Sequence, residues 1–249
     1  MAEPDRSRAE QRSAVAAPHG TGLSSRVVSG SAGPIERVWA AECGRATAFH
    51  SLASIRSGIG FARIGGTTAV HLRGPAKTAT ELSCPHDSEY FGVDFRVGAY
   101  LPAFPPGRLS NLRDAVLPVL EGGRILLDGQ AWEMPTPQNV DVFVDRLRRA
   151  GLLVVDPLVE EMWHCGVSRK VPARTAQSRF ARAAGLPLRT LRTIERARDA
   201  AGLLRAGVTI GEVVVAAGYH DQPHLTRSLR RLIGHTPGEV ARGVGFLAL

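Results

Sequence analysis

Two different spacings of apolar residues divide this chain. Residues 35–137 contain short apolar or alternating runs, interrupted by Gly, Pro and Asp at short intervals. Such runs predict antiparallel strands, the clearest at 58–64, 67–72, 89–97 and 124–127. After residue 138 the apolar residues recur at the helical spacing. We therefore predict an α+β chain in two parts, with a β-rich N-terminal domain built as an antiparallel sandwich or barrel and an all-α C-terminal domain.

The helical half divides into segments by its caps and glycines. Helices are predicted at 139–150, 156–165, 172–184 and 189–205, with two more near the C-terminus. Of these two, the first begins at Ile210, because Thr209 is a good N-cap and Glu212 completes a capping box. The second covers 222–233, with Asp221 as its N-cap.

The last two predicted helices form a helix-turn-helix pattern. Gly218 provides the turn between them, and the Tyr219 ring is expected to lie between the helices. The helix 222–233 should end at Gly234, Thr236 and Pro237. Its inward face carries Leu225, Leu229, Leu232 and Ile233, and its outward face carries Gln222, Thr226, Arg227, Arg230 and Arg231. An amphipathic hairpin with a solvated charged face is the alternative interpretation.

The distribution of charge favours nucleic-acid binding over that alternative. The chain has a formal net charge of +8. Residues 165–249 contain 14 lysines and arginines and 5 acidic residues, whereas residues 1–164 contain 17 basic and 18 acidic ones. The whole basic excess therefore lies on the C-terminal helices, as expected of a surface that contacts phosphates.

Four motifs in this half resemble the AraC/XylS family of bacterial transcription regulators. They are R-T-x-Q-x-R-F at 174–180, I-E-R-A-R at 194–198, A-G-Y-x-D-Q-x-H-L-T-R-S-L at 217–229 and G-x-T-P at 234–237. The resemblance covers roughly residues 156–243. It implies two helix-turn-helix subdomains joined by a linker helix, whose recognition helices enter successive major grooves of double-stranded promoter DNA.

The same resemblance implies a set of DNA-contacting residues. In the first recognition helix they are Arg174, Gln177 and Ser178, and in the second they are Gln222, Thr226 and Arg227. The further basic residues of the same helices, Arg179, Arg230 and Arg231, are also expected to contact DNA. Arg174 and Arg227 suit guanine, because a guanidinium can bond O6 and N7 together, and the amides of Gln177 and Gln222 suit adenine. His224 is expected to cap or pack at the helix start.

The first subdomain departs from the family pattern. Pro172 occupies the position of the usual Ser or Thr N-cap, and Ala176 and Ser178 are smaller than the residues common there. Proline is tolerated in a first helical turn, but it provides no capping oxygen. We therefore hypothesise that the first subdomain reads DNA less tightly than the second.

These patterns predict a domain order of a disordered tail (1–34), a β-rich domain (35–155), the tandem helix-turn-helix domain (156–243) and a C-terminal tail (244–249). Motifs at 74–80, 91–95, 127–133 and 143–147 resemble the N-terminal domain of some AraC-type regulators, which implies sensing of a small-molecule effector or dimerisation. RNA polymerase is a further expected partner. No apolar run suits a signal peptide or a membrane span, so a cytoplasmic location without membrane contact is expected.

The N-terminal half shows little catalytic chemistry. His50, His71 and His86 lack metal-ligand spacing, and Cys43, Cys84 and Cys165 are scattered. No catalytic residue, metal or cofactor is therefore assigned. Aromatic residues such as Trp39 and Tyr90 are expected in the core, with a place on a ligand pocket as the alternative. The alternative function is a DNA-associated enzyme, repair or sensor protein that uses metal or thiol chemistry in the N-terminal domain.

Overall fold

A computed structural model describes residues 23–29, 33–45, 47–111, 114–168 and 171–244. The first half is rich in strands: β1 (Leu23–Ser29), β2 (Ile35–Cys43), β3 (Thr47–Ser51), β4 (Gly58–Ile64), β5 (Thr67–Arg73), β6 (Thr80–Cys84), β7 (Ser88–Phe95), β8 (Ala99–Tyr100), β9 (Ala115–Leu117), β10 (Val119–Leu120), β11 (Arg124–Leu127), β12 (Gln130–Glu133) and, after the first helix, β13 (Val154–Val155). The helices are α1 (Val140–Arg149), α2 (Pro157–Cys165), α3 (Ala173–Ala184), α4 (Leu188–Arg205), α5 (Ile210–Ala216), α6 (Gln222–Leu232) and α7 (Pro237–Ala241).

The main sheet has six antiparallel strands in the order β1-β2-β7-β4-β5-β9. Smaller antiparallel sheets pair β10-β11-β12, β3-β6 and β8-β13. The predicted class is confirmed, since the N-terminal part is made of antiparallel sheets and the C-terminal part is helical. The predicted strand at 58–64 coincides with β4, and the one at 124–127 with β11.

The two faces of the main sheet have different character. One face is apolar, because Ile59, Val70 and Val93 from three neighbouring strands are buried against Phe143 and Leu147 of α1. The other face carries polar side chains and is covered by the β3-β6 pair. Because side chains alternate along a strand, both properties come from the same strands.

Two of the helix caps, at Thr209 and Asp221, are predicted from the sequence, whereas the cap at Asp156 and the helix α7 are not. Asp156 begins α2 by accepting a hydrogen bond from the Leu158 N–H at 3.0 Å. Thr209 and Glu212 form the predicted capping box of α5. Asp221 caps α6 as predicted, and Thr236 forms a second capping box at α7.

Strand β1 lies within residues 1–34, the segment for which the sequence predicts a disordered tail. The backbone of β1 pairs with β2, with Leu23 opposite Cys43 and Val27 opposite Trp39. Its sequence has no clear apolar alternation, and its order depends on the exposed backbone edge that β2 offers. The rest of the predicted tail up to residue 22, and residues 245–249, lie outside the described residues.

The core of the helical part includes residues from the β-rich half. Leu52, Ala53 and Ile55, which follow β3, are buried in the same cluster as Phe180 of α3 and Leu229 of α6. Backbone hydrogen bonds reinforce this contact, since the Ala53 N–H donates to the Leu232 carbonyl at 2.8 Å. The two halves defined by sequence at residue 155 therefore share one packed interface. Among the described residues, no helix is both long and apolar enough to cross a membrane.

Candidate nucleic-acid interface

The second helix-turn-helix unit is held together by Tyr219. This residue follows the turn at Gly218, whose φ of 65° suits glycine. The Tyr219 side chain is 5% exposed, and its hydroxyl lies 3.1 Å from Ser228 Oγ on α6. The His224 ring packs edge-on against it with centroids 5.1 Å apart, so His224 packs at the helix start as expected.

The start of α6 is stabilised by a charged cap. The carboxylate of Asp221 accepts from the His224 N–H at 2.7 Å. This backbone hydrogen bond, followed by one from the His220 ring, lowers the pKa of Asp221. An ionised carboxylate at a helix N-terminus also interacts favourably with the helix dipole. The backbone of the first turn, from which the exposed side chains project, is therefore fixed.

The outward face of α6 presents the residues proposed to read DNA. Gln222, Arg227, Arg230 and Arg231 are exposed, while Leu225 and Leu229 on the opposite face are buried. Thr226 is half-buried, and its hydroxyl donates to the Gln222 carbonyl at 2.9 Å. The structure thus brings the proposed side chains of this helix onto one solvent-facing surface.

The first recognition helix, α3, has a similar division with a weaker start. Arg174, Gln177 and Ser178 are exposed, and Ala176 and Phe180 are buried. At the N-cap stands Pro172, whose side chain makes no capping hydrogen bond. The missing cap agrees with what the sequence predicts at this position.

Arg179 differs from the other proposed DNA contacts. Its Nε donates to the Asp156 carboxylate at 2.6 Å, and this hydrogen bond raises the pKa of Arg179. With about 100° between successive residues of a helix, Arg179 lies about 140° around α3 from Arg174, at the border of the buried face. The structure therefore places Arg179 in a contact between α3 and the start of α2, apart from the exposed surface that carries Arg174.

The linker helix α4 contacts both units through arginine side chains. Arg192 donates to the Trp163 carbonyl of α2 at 3.4 Å, and the Arg196 guanidinium lies 4.8 Å from the centre of the Tyr219 ring. The apolar face of α4 is fully buried, including Leu191 and Ile194. Its 18 residues span about 27 Å. A single rigid helix therefore sets the separation of the two units.

Three of the five acidic residues in the segment 165–249 are used in helix caps. Glu212 and Glu239 accept hydrogen bonds from Thr209 and Thr236, which lower the pKa of both carboxyls. Asp221 has the same role at α6. Because these carboxylates are bonded to backbone N–H groups, the outward surfaces of α3 and α6 are left mainly with arginines.

The histidines and cysteines of the β-rich half have different environments in the described part of the chain. His50 and His71 both line a cavity, while His86 lies exposed beside Asp87. No group of three or more potential metal ligands comes together within the described residues. The Cys43 thiol donates to the Arg45 carbonyl at 3.1 Å, and burial raises the pKa of Cys43 to about 11. A thiol with so high a pKa is a poor nucleophile.

One set of polar residues was missed by the sequence analysis. Asp94 is only 4% exposed, and its carboxylate accepts from Arg37 Nε at 2.7 Å, Arg73 Nη2 at 2.8 Å and Trp39 Nε1 at 3.3 Å. Burial would raise the pKa of Asp94, but Arg73 and Arg37 outweigh it and lower the pKa. An Asp within the apolar run of β7 was the available signal, because a buried charge needs partners.

Comparison with known proteins identifies the C-terminal part alone. Residues 169–243 match the family model of a helix-turn-helix domain. Searches of curated proteins and of solved structures found no match to the chain. The match begins just before α3 and ends just after α7, so it covers both recognition helices and the linker helix between them.

Proposed function

We propose that this chain, whose C-terminal region is a helix-turn-helix domain of the AraC/XylS type, is a sequence-specific transcription regulator that reads two adjacent major grooves. The observation that carries the proposal is the exposed arginine-rich face of α6, inside the matched region. Its buried opposite face and capped start give that surface a fixed geometry, which base recognition requires.

In this proposal the arginines have two roles. Arg230 and Arg231 contribute to the attraction of phosphates, which supplies affinity without sequence preference. Arg227 bonds a guanine, and Gln222 or Gln177 bonds an adenine. The linker helix α4 keeps α3 and α6 about one turn of DNA apart, roughly 34 Å between half-site centres.

We propose that the two recognition helices contribute unequally. The start of α3 lacks a side-chain cap at Pro172, and the guanidinium of Arg179 is engaged by Asp156. In α6, Asp221 caps the helix and Arg227, Arg230 and Arg231 are all exposed. The α6 half-site should therefore dominate both affinity and specificity.

We also propose that the β-rich domain modulates DNA binding through its contact with α6. The N–H groups of Ala53 and Ala79 donate to the carbonyls of Leu232 and Arg231 at 2.8 and 2.9 Å. Both acceptors lie in the last turn of α6, so a shift of either β-domain segment would move that helix. A small-molecule effector is the proposed signal, while RNA polymerase and a second copy of the chain are partners proposed from the family resemblance alone.

The test begins with selection of a binding site from random duplex DNA, followed by gel shifts across a salt series. We expect selective binding that weakens steeply as salt increases. Arg227→Ala should reduce affinity about 5- to 150-fold, from a loss of roughly 1–3 kcal/mol, and relax the preference at one base pair. Arg174→Ala should cost less.

Arg63→Ala provides the matched control, because Arg63 is exposed on β4 and pairs only with Glu89 in a surface contact. It removes one positive charge outside the proposed interface, and we expect little change in affinity. Binding without sequence preference would refute the proposed function. Equal losses for Arg174→Ala and Arg227→Ala would refute the unequal contribution of the helices.

A further inference from the structure

A cavity of about 540 Å³ lies between the polar face of the main sheet and the β3-β6 pair. Its walls come from β2, β4, β5 and β7 on one side and from β3 and β6 on the other, and Arg198 of α4 completes it. Cavities of this size enclose small organic molecules. The polar face of the sheet is therefore turned toward a partly enclosed cavity.

The register of the strands gives the cavity a polar end. Asp94 of β7 lies opposite Arg37 of β2 and opposite Gly58 of β4, and Gly58 in turn lies opposite Arg73 of β5. These three charged side chains therefore occupy one row across the sheet. Arg56, which lies just before β4, and Arg198 also line the cavity.

The opposite end of the cavity is apolar. Tyr90, four residues before Asp94 on β7, lies opposite Ala41 of β2 and Ala62 of β4. Phe49 and Leu82 face each other across the β3-β6 pair and also line the cavity. Trp39 lies between the two ends and stacks under the Arg73 guanidinium at 4.9 Å. The cavity is thus amphipathic along the direction of its strands.

The polar end has more cations than anions. Four arginines line the cavity, whereas its acidic residues are Asp94 and Asp114. Asp94 is already bonded to Arg37 and Arg73, and burial raises the pKa of Asp114. Burial, followed by the nearby Arg56 and Arg37, lowers the pKa of Arg198 to about 10. Arginines therefore outnumber acidic residues among the side chains that line this end, and Arg56 also pairs with Glu36 outside the lining.

Two donors at this end are without acceptors. The Nε atoms of Arg56 and Arg73 are buried, and none of the described residues accepts a hydrogen bond from either. Arg56 uses another nitrogen to bond Glu36, and Arg73 uses Nη2 to bond Asp94. A buried donor without a partner carries a free-energy cost that a bound acceptor removes.

From the cavity, its register and these donors, we infer that the β-rich domain binds an organic carboxylate with an apolar body. The carboxylate lies at the arginine-lined end of the cavity, beside Arg56 and Arg73, since a guanidinium forms charge-assisted hydrogen bonds to a carboxylate. The apolar body lies along Trp39 toward Tyr90 and Ala41. The inference names the chemical class of the effector in the proposed function and rests on that function for its regulatory part.

The ligand site is connected to the DNA-binding helices by a short chain of contacts. Arg198 of α4 lines the cavity and donates to the Ala53 carbonyl at 3.3 Å. The Ala53 N–H donates in turn to the Leu232 carbonyl in the last turn of α6. A carboxylate that draws Arg198 toward the cavity therefore acts on the segment that holds α6, and DNA affinity should change when the ligand binds.

The test is calorimetric titration of the full chain with matched pairs of probes. 2-Naphthoate and decanoate represent aromatic and aliphatic carboxylates, and 2-naphthalenemethanol and decanol are their uncharged counterparts. We expect at least one carboxylate to bind at least tenfold more tightly than its alcohol, because the hydrogen bonds to arginine are charge-assisted. The preferred carboxylate identifies the class of apolar body. Failure of both carboxylates to bind, or equal binding of the alcohols, would overturn the inference.

Three variants locate the site. Arg73→Gln should weaken carboxylate binding at least tenfold, and Arg56→Lys should weaken it while keeping a cation beside Glu36. Ala41→Phe should abolish binding by filling the apolar end. Arg63→Gln is the matched control, because it removes a charge from the exposed part of the same sheet and should leave affinity unchanged. Equal losses in Arg63→Gln and Arg73→Gln would overturn the location.

The ligand-free affinity of each variant for the selected DNA site shows whether it is folded. It also separates the two proposals. If the unsubstituted chain binds its DNA site selectively but binds neither carboxylate, the ligand site alone is refuted. If it binds a carboxylate but binds DNA without sequence preference, the proposed function alone is refuted. A bound carboxylate that leaves DNA affinity unchanged would overturn the link through Arg198.

Discussion

Ile55 offers a direct test of the contact between the β-rich half and the helices. It lies between β3 and β4, yet its side chain is 3% exposed and packs in the helical core cluster with Phe180 and Leu229. Ile55→Ala removes three carbon atoms from this core without touching a charge or a cap. If the packing is as described, a change in the N-terminal half should destabilise the C-terminal helices.

The size of the effect follows from burial. Truncating a buried Ile or Leu to Ala costs about 2–5 kcal/mol, depending on how far the surroundings relax. Residues 52–55 lie in a connecting segment that can adjust, so we expect the lower part of that range, about 2–4 kcal/mol. In a protein of this size 1 kcal/mol shifts Tm by about 2–4 °C, which gives a decrease of roughly 4–16 °C.

Far-ultraviolet circular dichroism during heating measures this decrease, because the helices dominate the signal. Val215→Ala is the control, since Val215 is 81% exposed on α5 and its truncation should leave Tm nearly unchanged. The reasoning is wrong if Ile55→Ala shifts Tm no more than Val215→Ala does. It is also wrong if the sheet unfolds earlier while the helical signal keeps its Tm.

Three further predictions concern single groups. Burial lowers the pKa of His235 from 6.5, so as pH falls the unfolded chain takes up the proton before the folded chain does, and stability should decrease below about pH 6.5. Measurements of Tm against pH should show this decrease, and the His235→Gln variant should reduce it. Asp94→Asn leaves Arg37 and Arg73 without their shared anion and should cost up to about 3 kcal/mol in urea unfolding, less than for a fully buried pair because both arginines are partly exposed. A carboxylate that fits the cavity should restore part of this loss, and an unchanged midpoint would contradict the prediction. A Cβ added at Gly218 or at Gly202 meets no other atom, so only the backbone conformation distinguishes the two variants. Gly218→Ala should cost about 1–2 kcal/mol because Gly218 has a positive φ, whereas Gly202→Ala within the helix α4 should stabilise the protein by up to about 1 kcal/mol. Equal effects on Tm would contradict this prediction.

The helical half could be predicted closely because its signals are local. The capping boxes at Thr209 and Thr236 join residues three positions apart, and Asp221 bonds the N–H of His224. The apolar spacing of α4 similarly involves neighbours three or four residues apart. The exposed face of α6 follows directly from that spacing. The salt bridge of Arg179 does not, because its partner Asp156 lies at the start of another helix, α2.

The cavity could not be predicted in this way. Arg37, Arg73 and Asp94 come from three strands, and their meeting depends on the order β2-β7-β4-β5 and on its register. Alternation predicts which residues share a face of one strand, but it does not say which strand lies beside it. A charged residue within the buried run of β7 indicated only that partners existed elsewhere.

Some features of this protein are determined by local sequence, and others only by the tertiary structure. Helix limits, caps, the basic C-terminal surface and the helix-turn-helix pattern can be read from the chain, because each depends on residues within about one helical turn or on a sum of charges. The order of β1, the burial of Ile55 among the helices and the row of charges around Asp94 depend on partners far along the chain. The strand pairing and side-chain packing that stabilise these features exist only once the whole fold has formed. The sequence therefore predicts the helix-turn-helix surface, but it does not predict the cavity of the β-rich domain.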